Sequence, residues 1–290
     1  MPDAPGDATA PALVGVVGGG RMGAGIAQVF AALGARVVVV ESGADAAAAA
    51  HRRLVGGLER AAERGRLDGP VEAVAARVRV AGSVTDLPPA ADVVVEAVPE
   101  DAALKADVLA AAERAVSDRT VLATNTSSLP VTELAAALRS PARFLGMHFF
   151  NPVPASALVE LVRGADTDGA VVDRAAAWVR LLGKTAVVVR DSPGFATSRL
   201  GVLLGLEAIR MLEEGVADAE AIDTAMELGY KHPMGPLRST DLVGLDVRLA
   251  IAEHLAGALG DRFAPPDLLR EKVARGELGR KTGRGFHTWD

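Results

Sequence analysis

The chain has 290 residues, of which 50% are hydrophobic and 23% are charged, a globular composition that excludes a disordered or collagen-like protein. Its 31 basic and 37 acidic residues give a net charge of −6, and only 3% of the residues are aromatic, so we expect no nucleic-acid partner. The lack of cysteine excludes disulfides, thiolate nucleophiles and cysteine-ligated metals, and we expect no metal site.

The length favours two domains, since a domain averages roughly 150 residues. Residues 1–12, MPDAPGDATAPA, have neither a basic start nor an apolar stretch, so we expect a flexible tail and not a signal peptide. No segment approaches the roughly 20 uninterrupted apolar residues of a membrane helix. We therefore expect a cytoplasmic protein without a membrane partner.

Residues 13–40 predict a β-α-β unit. An apolar run predicts a strand at Leu13–Val17, helical spacing of apolar residues predicts a helix from about Met22 to Leu33, and a second apolar run predicts a strand at Arg36–Val40. Neither strand alternates with polar residues, which is typical of strands covered by helices on both faces. We therefore predict a parallel sheet.

A glycine motif joins the first strand to the helix. Gly18, Gly20 and Gly23 form G-x-G-x-x-G, in which the missing side chains let the backbone approach a pyrophosphate while the helix N-terminus presents free N–H groups. The alternative is a turn kept rich in glycine for tight packing. Because strand, motif and helix follow one another, the pattern favours a Rossmann-type dinucleotide-binding domain, with Met22 among the cofactor contacts.

An acidic residue, Glu41, ends the second strand, 18 residues after Gly23. A carboxylate at this place accepts hydrogen bonds from both ribose hydroxyls of NAD and repels the 2′-phosphate of NADP. The following Ser42 and Gly43 offer no cation to a phosphate, so we predict NAD. The alternative is a solvated surface charge.

The alternation of helices and strands continues to about residue 190. The Ala-rich stretch 44–78 predicts two helices separated by a break at 65–70. Apolar runs predict five more strands, at 92–97, 120–124, 143–147, 157–163 and 185–189. We therefore predict a doubly wound α/β domain over residues 13–190.

His148 is the best placed of the five histidines for proton transfer. It follows an apolar run at the carboxyl edge of the predicted sheet, where doubly wound folds bind their ligands. Imidazole suits proton transfer near neutral pH, and a carboxylate on its far nitrogen fixes the tautomer and stabilises the cation. Glu160, an acidic residue within an apolar strand, is the candidate partner. The alternative is a core histidine bonded to the backbone and a glutamate on an exposed edge.

The pattern changes at Asp191-Ser-Pro-Gly-Phe, after which no strand is predicted. Apolar residues at helical spacing predict helices at 195–214, 218–228 and 238–259. The chain therefore predicts an all-α domain over residues 191–290. Its first helix carries five apolar side chains for burial against the first domain or a second subunit: Leu200, Leu203, Leu204, Leu206 and Ile209.

Seven short segments form a series along the chain: GGGRMGAGIAQVF (18–30), VEAVPED (95–101), NTSSL (125–129), HFFNPV (148–153), DSPGF (191–195), HPMGP (232–236) and KTGRGF (281–286). In this order they resemble the L-3-hydroxyacyl-CoA dehydrogenase family, and particularly its short bacterial 3-hydroxybutyryl-CoA type. The resemblance covers nearly the whole chain, which makes it more specific than any single motif.

The resemblance implies catalytic roles for four residues. His148 would be the general base in oxidation and the general acid in reduction, with Glu160 as its orienting carboxylate. Ser127 would donate a hydrogen bond to the reacting oxygen, and Asn151 would lie beside the histidine and the nicotinamide. For Ser127 and Ser128 a helix cap is an alternative, because a helix is predicted shortly after them.

The resemblance also implies that Glu100 and Lys105 reach the nicotinamide-side ribose. Only five of the 31 basic residues are lysine, so a lysine at position 105 agrees with a role that arginine would not fill.

Two positions depart from the family's pattern. Ser198 replaces an asparagine expected close to the reacting group of the substrate, and Gly57 replaces a serine that the family offers to the CoA phosphate. Arg60, Arg64 and Arg66 are the candidate cations for that phosphate. The alternative is a solvated helix face on which these arginines pair with neighbouring glutamates.

These observations predict an NAD-dependent oxidoreductase of fatty acid metabolism that oxidises a short-chain L-3-hydroxyacyl-CoA, or reduces the 3-ketoacyl-CoA, as a homodimer paired through its helical domain. One alternative keeps the chemistry but takes the substrate on an acyl carrier protein. Others are a sugar-acid dehydrogenase of the lambda-crystallin type and a non-catalytic NAD-binding protein.

Overall fold

The computed structural model describes residues 9–290. The chain forms two compact units, the first ending at Asp191 and the second beginning at Ser192, one residue from the boundary placed by the sequence analysis. No helix in the described part is long and apolar enough to cross a membrane.

The predicted flexible tail, residues 1–12, falls mostly on residues 1–8, which lie outside the described part of the chain. At its end the prediction is wrong. Pro11 is buried, and the backbone N–H of Ala12 donates to Asp92 Oδ2 at 2.8 Å. These residues therefore pack on the first unit and lead directly into its first strand.

The first unit is built on an eight-stranded sheet in the order β3-β2-β1-β4-β5-β6-β7-β8. The strands are β1 (Leu13–Val17), β2 (Arg36–Val40), β3 (Val78–Ala81), β4 (Val93–Glu96), β5 (Val121–Thr124), β6 (Phe144–Phe149), β7 (Leu158–Arg163) and β8 (Thr185–Arg190). The strand order reverses between β1 and β4, which opens a ligand-binding crevice at their carboxyl ends.

Helices cover this sheet because its central strands are apolar on both faces. They are α1 (Arg21–Ala32), α2 (Ala44–Glu63), α3 (Val71–Ala75), α4 (Ala102–Ala115), α5 (Val131–Ala135) and α6 (Gly169–Leu181). Every residue of β4 is buried, and α1 contributes Ile26 and Phe30 to the same core. The predicted doubly wound α/β fold is confirmed.

Two details of the predicted sheet are wrong. The strand Val78–Ala81 was missed, since the predicted helical stretch ended at residue 78; it adds a parallel edge to β2. The strand β7 runs antiparallel to β6, whereas a parallel sheet was predicted. The segment between them, 150–157, is too short for the crossover of a dozen or more residues that a parallel connection needs.

The second unit is helical, as predicted. Its helices are α7 (Thr197–Glu213), α8 (Ala219–Thr224), α9 (Pro236–Val243), α10 (Leu245–Leu259) and α11 (Asp267–Ala274), and a π-helical turn, Ala225–Gly229, extends α8. Residues from four of these helices form its core: Leu206, Ile209, Leu237, Leu255 and Leu269.

The single helix predicted at 238–259 is two helices, α9 and α10. They are separated by Gly244, whose φ of 105° lies in the region that favours glycine. The short helix α11 was missed, since its eight residues carry only one fully buried side chain, Leu269.

Candidate active site

The glycine turn lies at the carboxyl end of β1, beside the crevice. Gly18 has a φ of 99°, and a β carbon at Gly23 would overlap the carbonyl oxygen of Gly18, so both positions require glycine. A β carbon at Gly20 would meet no atom within 4 Å. This open space, in front of the uncapped N-terminus of the 12-residue helix α1, fits a pyrophosphate.

Glu41 follows β2 next to this turn, where a carboxylate meets the adenosine ribose of NAD. Its Oε2 accepts the N–H of Gly19 at 2.6 Å, and its Oε1 accepts the N–H of Ser42 at 3.1 Å. Sequence reasoning missed one cation here. Arg53, on α2, reaches the carbonyl oxygen of Gly19 at 3.3 Å, although it follows Glu41 by 12 residues in the sequence.

Met22 lies in the first turn of α1 and packs against the hydrophobic core of the first unit. Its side chain therefore supports the helix that faces the open glycine turn. Its predicted contact with the cofactor stays a prediction.

The structure brings His148 and Glu160 together. They are directly opposite each other in the antiparallel pair β6–β7, and Nδ1 of His148 lies 2.9 Å from Oε2 of Glu160. Glu160 is completely buried and His148 is 5% exposed, so the alternative of a glutamate on an exposed edge is wrong. The ring of Phe150 lies 4.3 Å from the imidazole ring.

The loop after β5 carries Ser127, which is exposed at the carboxyl edge of the sheet. Its backbone N–H donates to Oε1 of Glu100 at 2.9 Å, and the hydroxyl of Thr126 donates to the same oxygen at 2.6 Å. Glu100 therefore holds this loop. Ser128 is not the N-cap residue of the helix α5, and the role of Ser127 stays a prediction.

The N-cap of α5 is Pro130, and the carboxylate of Asp191 accepts the N–H of Thr132 at 2.7 Å.

Lys105 is completely buried beside Glu100. Its Nζ lies 3.3 Å from Oε2 of Glu100 and 2.8 Å from Oε1 of Glu96, a buried carboxylate that sequence reasoning missed. The apolar run that ends in Glu96 contained the signal, because a glutamate at the end of an all-buried strand needs a cation. The predicted contact of Lys105 with the ribose stays a prediction.

Asn125 was also missed, although it opens the segment NTSSL. Its side-chain oxygen accepts the N–H of Phe149 at 2.9 Å and so ties the end of β5 to the strand that carries His148.

Asn151 lies in the connection between β6 and β7 and is exposed. Lys184, at the start of β8, holds this connection: its Nζ donates to the carbonyl oxygens of Val153 at 2.7 Å and Ser156 at 2.5 Å. No carboxylate of the described chain pairs with this ammonium, and burial lowers the pKa of Lys184.

A groove of about 1000 Å³ extends from the start of α1 along α2 to the connection that carries Asn151. Seven cations line it: Arg21, Arg52, Arg53, Arg60, Arg64, Arg66 and Lys184. Asp68 is the one acidic residue among its lining residues. In the part of the chain that the structure describes, the six arginines form no ion pair, so they do not pair with the neighbouring Glu59 and Glu63 as the alternative interpretation expected. The groove is therefore built for an anion.

At one of the two departures from the family's pattern, Gly57, the structure shows which side chain a larger residue would meet. A β carbon at Gly57 would overlap Oε1 of Gln28, whose Nε2 donates to the carbonyl oxygen of Gly57 at 3.0 Å. A serine at this position would displace that contact between α1 and α2. Ser198 lies in the first turn of α7, in the second unit.

A doubly wound sheet with an open glycine turn at its switch point, and with a carboxylate directly after the second strand, defines the first unit as a dinucleotide-binding domain.

Two family models match the chain and make this class more specific. The NAD binding domain of 3-hydroxyacyl-CoA dehydrogenase matches residues 13–192, and the C-terminal domain of 3-hydroxyacyl-CoA dehydrogenase matches residues 194–289. The chain belongs to the 3-hydroxyacyl-CoA dehydrogenase family, and its predicted oxidoreductase class and NAD cofactor are confirmed.

Known proteins are similar over most of the chain. A probable 3-hydroxybutyryl-CoA dehydrogenase of Bacillus subtilis is 43% identical over 276 residues, covering 95% of this chain and 96% of the relative. A 3-hydroxybutyryl-CoA dehydrogenase of Mycobacterium tuberculosis is 44% identical over 281 residues, covering 95% and 98%. The crystal structure of (S)-3-hydroxybutyryl-CoA dehydrogenase from Ralstonia eutropha has a TM-score of 0.91 at 41% identity, covering 97% of this chain and 100% of that chain.

Proposed function

We propose that the chain interconverts a short-chain L-3-hydroxyacyl-CoA, similar to 3-hydroxybutyryl-CoA, and the corresponding 3-ketoacyl-CoA. The buried pair of His148 and Glu160, with 2.9 Å between Nδ1 and Oε2, carries the proposal because it supplies an oriented acid–base group at the ligand-binding edge of the sheet. The short acyl chain is supported by the three relatives above, all of which are named for 3-hydroxybutyryl-CoA.

In the oxidative direction His148 acts as the general base. Because Nδ1 faces Glu160, Nε2 accepts the proton of the C3 hydroxyl, and the buried carboxylate stabilises the imidazolium that forms. NAD, when bound, supplies the hydride acceptor. In the reductive direction Nε2 returns the proton to the oxygen on C3.

Ser127 and Asn151 complete the proposed catalytic group. The hydroxyl of Ser127 donates a hydrogen bond to the reacting oxygen, and Asn151 lies beside the imidazole and the nicotinamide. Glu100, whose side chain is 39% exposed, accepts a hydrogen bond from the nicotinamide-side ribose. The same carboxylate also holds the loop that carries Ser127. In this proposal Glu100 therefore positions both the hydroxyl that meets the substrate and the ribose of the cofactor.

The arginine groove binds the phosphates of CoA in this proposal. Arg60 lies in the last turn of α2 and Arg64 directly follows the helix, and residues four apart share a helix face. Neither arginine pairs with a carboxylate of the described residues. A guanidinium that is free of an ion pair binds phosphate without first breaking a contact. The predicted substrate contact of Ser198, which replaces the family's asparagine, stays a prediction.

An acidic acyl carrier protein is the second candidate for the substrate handle, because the same unpaired arginines favour any anionic partner. The test is a comparison of kcat/KM for 3-ketobutyryl groups on CoA, on pantetheine and on a carrier protein, with NADH oxidation as the readout. The proposal expects the CoA thioester to be the best substrate. Equal kcat/KM values for the CoA and pantetheine thioesters would reject recognition of the CoA phosphates. A higher kcat/KM for the carrier-protein thioester would show that the carrier protein, and not CoA, carries the acyl group.

We also propose that the second unit pairs two subunits. Leu206 and Ile209 are buried in the core of that unit, whereas Leu200 is 60% exposed and Leu204 is 43% exposed. An apolar helix face of this kind is typical of a protein–protein contact. Light scattering should give twice the monomer mass, and the variant Leu200→Glu/Leu204→Glu should give the monomer mass. Cytoplasmic location stays a prediction.

A further inference from the structure

Glu96 is a buried carboxylate at the ligand-binding edge to which the proposed mechanism gives no role. It is the last residue of β4, and its backbone pairs with Val17 of β1 on one side and with Thr124 of β5 on the other. The side chain is 1% exposed. Glu96 therefore lies at the point where the strand order of the sheet reverses, next to the glycine turn.

Every oxygen of this carboxylate is used inside the protein. Oε1 accepts the N–H of Val98 at 2.7 Å and the ammonium of Lys105 at 2.8 Å. Oε2 accepts the hydroxyl of Thr124 at 2.6 Å and the same ammonium at 3.1 Å. Both oxygens of Glu96 are therefore engaged within the protein, and Lys105 is the charged group among their partners.

Lys105 lies between two carboxylates. Its Nζ is 2.8 Å from Oε1 of Glu96 and 3.3 Å from Oε2 of Glu100. The remaining acceptors around Nζ are two backbone carbonyl oxygens, those of Val98 and Asn125. One positive charge therefore faces two negative charges. Burial raises the pKa of Glu96, and the neighbouring ammonium of Lys105 opposes that shift.

We propose that Glu96 is a positioning residue that neutralises Lys105 and so leaves the charge of Glu100 available to the ribose of NAD. This proposal rests on the proposed contact between Glu100 and the cofactor. Oε1 of Glu100 accepts the N–H of Ser127, and Oε2, which lies 3.3 Å from Nζ of Lys105, is the oxygen that the proposal assigns to the ribose. Without the charge of Glu96, the buried ammonium would pair with Glu100 alone and weaken it as an acceptor.

The test is the affinity of the purified dehydrogenase for NADH, measured by fluorescence titration of Glu96→Gln. The amide keeps the shape of the side chain, and its oxygen still accepts the N–H of Val98 and the ammonium of Lys105. It loses the negative charge and the acceptor at Oε2 that now serves Thr124 and Lys105. We expect a Kd for NADH about three- to tenfold higher, because a hydrogen bond from a neutral donor to a partly neutralised carboxylate is weaker than one to a free carboxylate.

The matched control is Glu113→Gln. Glu113 is also a buried glutamate of the first unit, 2% exposed, but it pairs with Arg143 and accepts the N–H groups of Arg139 and Ser140. Its loss should lower the melting temperature without changing the Kd for NADH. An equal rise of Kd in both glutamine variants would overturn the proposal, because the effect would then follow from lost stability.

The double variant Glu96→Gln/Lys105→Met separates positioning from structure. Lys105 is itself a predicted ribose contact, so the double variant is compared with Lys105→Met and not with the wild type. Once the ammonium is gone, adding Glu96→Gln should change the Kd for NADH by less than about twofold. A rise of about threefold or more between Lys105→Met and the double variant would overturn the proposal. The double variant loses both buried charges, so it also provides the test if the single variant does not fold.

Glu100→Gln distinguishes this inference from the proposed function on which it rests. If Glu100→Gln binds NADH as the wild type does, the cofactor contact of Glu100 is wrong. If Glu100→Gln weakens NADH but Glu96→Gln does not, the contact stands and the role of Glu96 is wrong.

Discussion

Replacing Glu160 with glutamine should slow catalysis without unfolding the protein. The carboxylate is completely buried and lies 2.9 Å from Nδ1 of His148, so no water replaces its charge. A hydrogen bond to a charged group contributes about 1.5–3 kcal/mol and a neutral one about 1 kcal/mol. The amide therefore loses about 0.5–2 kcal/mol of imidazolium stabilisation, or about 2- to 30-fold in rate. An amide that turns its NH₂ group toward the ring also fixes the wrong tautomer, and the total loss then reaches about 10²- to 10⁴-fold.

The assay is steady-state turnover of acetoacetyl-CoA with NADH and of 3-hydroxybutyryl-CoA with NAD, each across pH. Without the carboxylate the imidazolium loses its proton more readily. The alkaline limb of the reduction and the acidic limb of the oxidation should therefore both move to lower pH. Glu59→Gln, an exposed glutamate on α2, is the control. A variant at position 160 with unchanged pH profiles would refute the coupling of Glu160 to His148.

Three further changes test the cofactor pocket, the groove and the connection held by Lys184. Glu41→Ala should weaken the binding of NAD and narrow the preference for NAD over NADP, because Arg53 then meets the 2′-phosphate without a competing carboxylate. The Kd values for NAD and NADP in both proteins check this, and a wild-type preference for NADP would contradict it. Arg60→Gln/Arg64→Gln should raise KM for acetoacetyl-CoA by about tenfold and leave KM for the pantetheine thioester unchanged, and equal effects on both would contradict phosphate binding. Burial lowers the pKa of Lys184, so the folded state releases this proton before the unfolded state does, and the free energy of unfolding should rise with pH toward 10.5. Lys184→Met should remove that rise in urea titrations, and an equal slope in both proteins would contradict it.

The strands that position the site could be predicted from the sequence. The strands at Leu13–Val17 and Arg36–Val40 have the predicted bounds, because each is a valine-rich run that ends at a residue typical of a strand end, Gly18 or Glu41. The sequence also predicts the pairing of His148 with Glu160. An acidic residue within an apolar strand is expected to be buried, and a buried carboxylate needs a hydrogen-bond partner in the core.

Other features depend on contacts between distant segments. The antiparallel direction of β7 follows from the length of one connection, and the strand Val78–Ala81 exists because β2 offers a free edge to it. Arg53 acts through a neighbour in space, the carbonyl oxygen of Gly19, and no local pattern marks it as part of the site. The arginine groove likewise becomes visible only when α2 is placed against α1.

Turnover of His148→Ala is the most direct test of the account. The variant should lose about 10²- to 10⁴-fold in kcat for acetoacetyl-CoA reduction, the usual contribution of a positioned acid–base group. Its Kd for NADH should stay within about twofold of the wild type, because the glycine turn and Glu41 lie on other strands. A variant that kept most of its turnover, with the chemical step shown to be rate-limiting, would contradict the assignment of His148 as the proton-transfer residue.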